Sequence, residues 1–115
     1  MRVAGCFGTD GEYHDYFVFD LSSVDVHITS ASLSIGNSTT GFGGPQPASY
    51  TNWDVSTPIA ALEASQSGAT GIWSDLAGGV NYASTLVGPG DNGAQVFIAL
   101  DAAAVAAINA DAGGQ

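Results

Sequence analysis

The sequence predicts a mainly β fold, an antiparallel β-sandwich of jelly-roll type with two short helices, one of them C-terminal. Three observations carry this expectation. Several short runs alternate apolar and polar residues. Dense Gly, Pro, Asn and Asp clusters separate those runs. Helical spacing is confined to two segments, each opened by a residue suited to a helix start. The 115 residues make a single domain spanning 1–115, and a hydrophobic fraction of 45% is enough for a real core.

Residues 1–12 are Gly-rich and contain the turn pair Asp10-Gly11. In the run that follows, Tyr13, Phe17 and Phe19 face one way, and His14, Tyr16, Val18 and Asp20 the other. Bulk on both faces suits a strand covered on both sides. Residues 26–35 alternate next, with Val26, Ile28, Ala31, Leu33 and Ile35 apolar. The phase slips near Ser30, which predicts a bulge there. Residues 36–47 form a long connection, and residues 49–55 read as a strand holding Tyr50, Trp53 and Val55. Thr57 is placed to cap a first helix, with Pro58 at its first position. Residues 70–76, 80–87 and 94–100 read as three further strands. Asp101 then caps a second helix, closed by Gly113, with Val105, Ile108 and Ala112 as its apolar stripe.

Charge excludes more functions than any motif suggests. Eleven carboxylates face one Lys or Arg, Arg2, for a formal net charge of -10. A phosphate clamp, an arginine finger and a Schiff-base lysine therefore have no residue in the body of the chain. The same charge repels nucleic acid and anionic membrane surfaces. Charged residues make up only 10% of the chain, so Ser, Thr, Asn, Gln and Gly must build most of the surface, as in extracellular modules. Cys6 is the single cysteine and has no internal disulfide partner. No apolar run reaches the roughly 18 residues of a membrane span.

Four stretches carry a family likeness: YFVFDLSS at 16–23, ITSASL at 28–33, DVSTPIAA at 54–61 and LDAAAVAAINADAGG at 100–114. They resemble bacterial exported proteins of the PEP-CTERM-associated kind and the broader DNRLRE-like extracellular β-sandwich modules. The resemblance implies a secreted or cell-envelope location, with the leader outside this chain. It also implies further strands at both ends, so that residues 1–115 would be a truncated domain with open sheet edges. Such edges invite homo-oligomers. The likeness brings no catalytic residue with it.

Read from the residues, the aromatics are the main binding candidates. Sugars lay apolar ring faces on aromatic rings while amides and carboxylates take their hydroxyls. Trp73 beside Asp75, Tyr50 beside the long loop, and Trp53 between Asn52 and Asp54 fit that chemistry. His14, Asp15 and His27 are the candidates for a small, metal-assisted hydrolase, if His14 and His27 become cross-strand neighbours. Asp10, Glu12, Asp15 and Asp91 cluster near turns, where oxygen ligands suit a structural calcium. The favoured expectation is a non-catalytic extracellular module for glycan binding, adhesion or matrix assembly, with no cofactor required. Its partners would be a glycan or extracellular matrix. The alternatives are the hydrolase, acting on a glycan or ester, and a structural fragment that self-associates.

Overall fold

A computed structural model describes residues 1–8, 12–40 and 47–113, the side chains of residues 2–8 and 12 excepted. Its elements run β1 (Arg2–Gly8), β2 (Glu12–Val18), β3 (Ser32–Gly36), β4 (Ala48–Asp54), α1 (Ile59–Glu63), α2 (Thr70–Asp75), β5 (Asn81–Val87), β6 (Gln95–Ala99) and α3 (Ala102–Asp111). A 3-10 turn, Pro89–Asp91, joins β5 to β6. The large sheet has the order β2-β1-β4-β5 and the small sheet pairs β3 with β6. Every pairing is antiparallel. The described residues make a small mixed fold of two antiparallel sheets and three short helices.

The central strand β4 separates two kinds of packing. Ala48, Tyr50 and Asn52 point to the inner face of the large sheet and are buried. There Tyr50 and Val87 meet Ile98, with Leu33, Ile35 and Val96 of the small sheet packed around them. Thr51 and Trp53 point to the outer face, where Val55, Leu62 and Leu76 form a second cluster with Tyr16 and Ile72. A third cluster, Met1, Tyr82, Ala104 and Ile108, seats α3 against the end of β5. Tyr82 reaches it through a register irregularity: Asn52 faces Ala83 but Trp53 faces Asn81, leaving Tyr82 as the extra residue. The bulge thus falls here and not near Ser30. Gly79, just before β5, passes over the end of β4, where an added Cβ would lie 2.2 Å from the Asp54 carbonyl oxygen.

Several elements differ from the sequence reading, each for a physical reason. Residues 2–8 form a strand hydrogen-bonded on both sides, although Gly5 and Gly8 interrupt the apolar pattern that would announce it. With β1 as its partner, β2 lies at the sheet edge and does not pair with residues 26–35. Only 32–36 of that run is a strand. At Ile28 the backbone is satisfied from α3 instead: its N–H donates to Asn109 Oδ1 at 2.8 Å, and Asn109 Nδ2 donates to its carbonyl at 2.9 Å. Residues 70–75 are helical, not extended, because Ile72 and buried Leu76 stand four apart and share one apolar side. The described residues therefore form three helices where two were expected.

The C-terminal helix follows its sequence signals more closely. The Asp101 carboxylate accepts the Ala104 N–H at 3.0 Å, the expected N-cap bond. Gly113 adopts φ 86, the left-handed conformation that ends helices, and its N–H reaches the Leu21 carbonyl at 3.0 Å. The buried positions are Ala104 and Ile108, four apart and one turn earlier than the expected Ala112.

Two buried groups generate tests. Asn52 is fully buried, and neither Oδ1 nor Nδ2 has a hydrogen-bond partner among the described residues. Desolvating an amide without compensation costs about 1–3 kcal/mol on mutational scales. Asn52→Leu, similar in volume, should therefore raise stability by about 1–2 kcal/mol. A lowered urea midpoint in this variant would refute that. The Tyr82 phenol is pushed up to about 12, first by burial and then by the negative charge of Asp54, with Asp111 and Asp101 adding to it. A raised phenol stabilises the fold fully below the unfolded value of about 10, and that contribution is lost as pH climbs through the folded value. Alkaline titration followed by circular dichroism should show a transition that Tyr82→Phe moves to higher pH. An identical alkaline midpoint in the two proteins would reject Tyr82 as the trigger.

Candidate functional site

The outer face of the large sheet brings together the groups that carry ligand chemistry. Only part of this face lies under α1 and α2. The register sets one row across the strands: His14 opposite Cys6, Cys6 opposite Thr51, and Thr51 opposite Ser84. Directly opposed residues in an antiparallel sheet share a face. At the β2 end of the row, the His14 ring lies flat on the Trp73 indole, with centroids 3.8 Å apart and planes inclined by 11°. His14 Nδ1 also lies 2.9 Å from the Trp73 carbonyl oxygen, so the same residue holds the imidazole by ring and by backbone. Nδ1 donates there, since a carbonyl only accepts.

Trp73 is 46% exposed despite this support. It borders a shallow cleft of about 330 Å³ whose wall includes Gln66, Ser67 and Thr70, with Ile72 and Leu76 contributing apolar surface. The hydroxyls of Ser67 and Thr70, the Gln66 amide and the indole thus line one depression. Leu62 and Leu76 seat α1 and α2 on Val55, just after β4, and beside Tyr16 of β2.

Asp75, expected to bind ligand, is instead occupied within the chain. Its Oδ1 accepts from Ser56 Oγ at 2.6 Å, and its Oδ2 accepts from the Thr57 N–H at 2.7 Å and from Thr57 Oγ1 at 2.5 Å. These bonds tie the last residue of α2 to the segment entering α1. They also explain why Thr57 caps no helix: its hydroxyl is spent on Asp75, and α1 starts at Ile59 without a side-chain cap bond. Burial pushes the Asp75 carboxyl up, but the bonds from Ser56 and Thr57 outweigh it and leave the group below its ordinary value.

The remaining candidates are scattered. Tyr50 is 6% exposed and belongs to the core between the sheets, so it offers no stacking surface. Trp53 is half-buried on the outer face, away from the small sheet. His27 lies outside any strand in the 19–31 segment, so the strand pairing that would have joined it to His14 does not form. The Asp15 carboxylate accepts the Tyr16 N–H at 2.8 Å, and that of Asp91 accepts the Gly88 N–H at 2.9 Å. Asp10 and the Glu12 side chain lie outside the described residues. Among the described residues, no three of His, Cys, Asp and Glu are grouped to hold a metal ion, and no helix is long and apolar enough to cross a membrane.

Sequence reasoning missed two parts of this site. The Thr51–Ser84 pair is invisible without the register of β4 and β5, since Ser and Thr alternate in many strands. The Gln66, Ser67 and Thr70 wall follows α1 in a stretch whose only sequence signal is its polarity. No family model matches the chain, and the comparisons with curated proteins and with solved structures find no significant relative.

The Asp75 linkage makes a stability prediction. Asp75→Ala removes the acceptor of the Ser56 and Thr57 donors; because solvent reaches these groups, the loss should be about 1 kcal/mol at pH 7. Because the folded carboxyl is lowered, its stabilisation is complete above the unfolded value near pH ~4 and is lost as pH falls through the folded value. Acid unfolding of the variant should therefore be shallower than that of the parent. Parallel acid transitions in urea-midpoint titrations would remove Asp75 as a source of pH dependence.

Proposed function

We propose that the protein is a non-catalytic glycan-binding module and that Trp73 is its stacking platform. The observation that carries this reading is the fixed indole: half-exposed, backed flat by His14, and bordering a cleft walled by Gln66, Ser67 and Thr70. An aromatic ring already held in one orientation loses little conformational entropy when a sugar docks on it. The neutral hydroxyls and amide around it suit sugar hydroxyls, each able to give or take a hydrogen bond. The near-absence of cationic side chains points the same way, since nothing here offers the paired guanidinium or ammonium that phosphate ligands recruit.

An extracellular or cell-envelope setting accords with the neutral polar composition and with the likeness to exported PEP-CTERM-associated and DNRLRE-like proteins. We also infer that the two sheets are a reduced β-sandwich. The support is the shared cluster in which Tyr50 and Val87 of the large sheet meet Ile98 and Leu33 of the small one.

Pull-down on insoluble neutral polysaccharides tests the reading. The parent protein should partition to at least one of them, and Trp73→Ala should weaken binding at least tenfold, with Trp73→Phe intermediate. His14→Ala should weaken it less, by freeing the indole to rotate. Uniform failure of the parent to bind, or a Trp73→Ala variant that binds equally well, would overturn the proposal.

A further inference from the structure

The geometry points to a second part of the binding surface, a hydroxyl row on the open face of the large sheet that extends the Trp73 site to take a chain of uncharged sugars. This rests on the glycan-binding reading above and adds to it the length and the charge class of the ligand.

The row begins where His14 meets Trp73 and crosses the sheet through the register positions of Cys6, Thr51 and Ser84. Three interstrand steps span about 14 Å, so a ligand lying along the row must be longer than one sugar ring. Its far end is a linked set of neutral groups. Thr51 Oγ1 and Ser84 Oγ are 3.1 Å apart, Asn81 Nδ2 donates to Ser84 Oγ at 3.4 Å, and Ser49 Oγ lies 3.5 Å from Thr51 Oγ1. Each hydroxyl combines one donor with two acceptor positions, so internal bonding leaves capacity directed at solvent. Ser49, Ser84 and Asn81 are exposed, and Leu86, 68% exposed, stands next to this set on β5. Among the described residues, α2 meets this row at His14 through Trp73, and the cluster that seats α1 and α2 lies beside Tyr16 and Val55, toward the other end of the strands.

The occupant follows from charge. Binding of a uronate or a sulfated sugar is strengthened by a cation, and the only Lys or Arg of the chain, Arg2, pairs with Val18 at the far end of β1. Eleven carboxylates add repulsion against any polyanion. An uncharged pyranose chain meets no such penalty. It can stack one residue on Trp73 and set the hydroxyls of later residues on Thr51 and Ser84.

Titration calorimetry with neutral gluco-oligosaccharides of increasing length reads this out. For the parent, affinity should rise with length until the row is filled. Ser84→Ala and the double variant Thr51→Val/Ser84→Ala should keep the affinity for the shortest ligand that binds and lose the rise, roughly tenfold at the longest for the double variant. Ser84 is exposed, so the single variant folds whether or not the double variant does. Affinity that is independent of length, or a rise that survives in Ser84→Ala, overturns the row while leaving a Trp73-dependent site intact. Equal affinity for a polyuronate overturns the charge assignment. Failure of every oligosaccharide to bind the parent overturns the row together with the reading beneath it.

Discussion

Everything in this fold is referred to β4. It is hydrogen-bonded on both sides, by β1 and by β5, and its alternate residues serve different partners. Tyr50 and Asn52 supply the core shared with the small sheet, while Thr51, Trp53 and the following Val55 face α1, α2 and the open surface. A slip of one residue would exchange the two sets, exposing Tyr50 and burying Thr51. The period of two is thus the constraint that fixes both the core and the outer face.

The helical pair depends on that frame. Leu62 and Leu76 anchor α1 and α2 on the outer face, and the Asp75 carboxylate fastens the end of α2 to Ser56 and Thr57, immediately after β4. Such short helices have little stability alone, so their order comes from packing and this linkage. Trp73 is held between these restraints and β2, where His14 backs it. A sheet edge and a tethered helix together immobilise an aromatic ring that the surrounding loops could not hold by themselves.

Charge depletion shapes the rest of the surface. One Lys or Arg stands against 11 carboxylates, and the exposed positions include hydroxyls and amides such as Ser49, Asn81 and Ser84 together with apolar side chains such as Leu86 and Phe97. Several carboxylates are turned to structural use: Asp101 caps α3, Asp91 takes the Gly88 N–H, and Asp15 takes the Tyr16 N–H beside it.

Local signals were legible wherever the deciding interaction lies within a few residues. The Asp101 cap, the Gly113 stop, the β4, β5 and β6 strands and the cation-poor surface all follow from composition and short-range pattern. Trp73 could be singled out as an exposed aromatic, but its support could not. Tertiary structure decided what depends on distant partners. It made β1 a central strand despite its glycines, and it satisfied Ile28 from Asn109, 81 residues away, in place of a strand neighbour. It turned Asp75 inward and buried Tyr50. It also placed His14, Thr51 and Ser84 in one row, because strand register is a property of pairing between segments and no single segment encodes it.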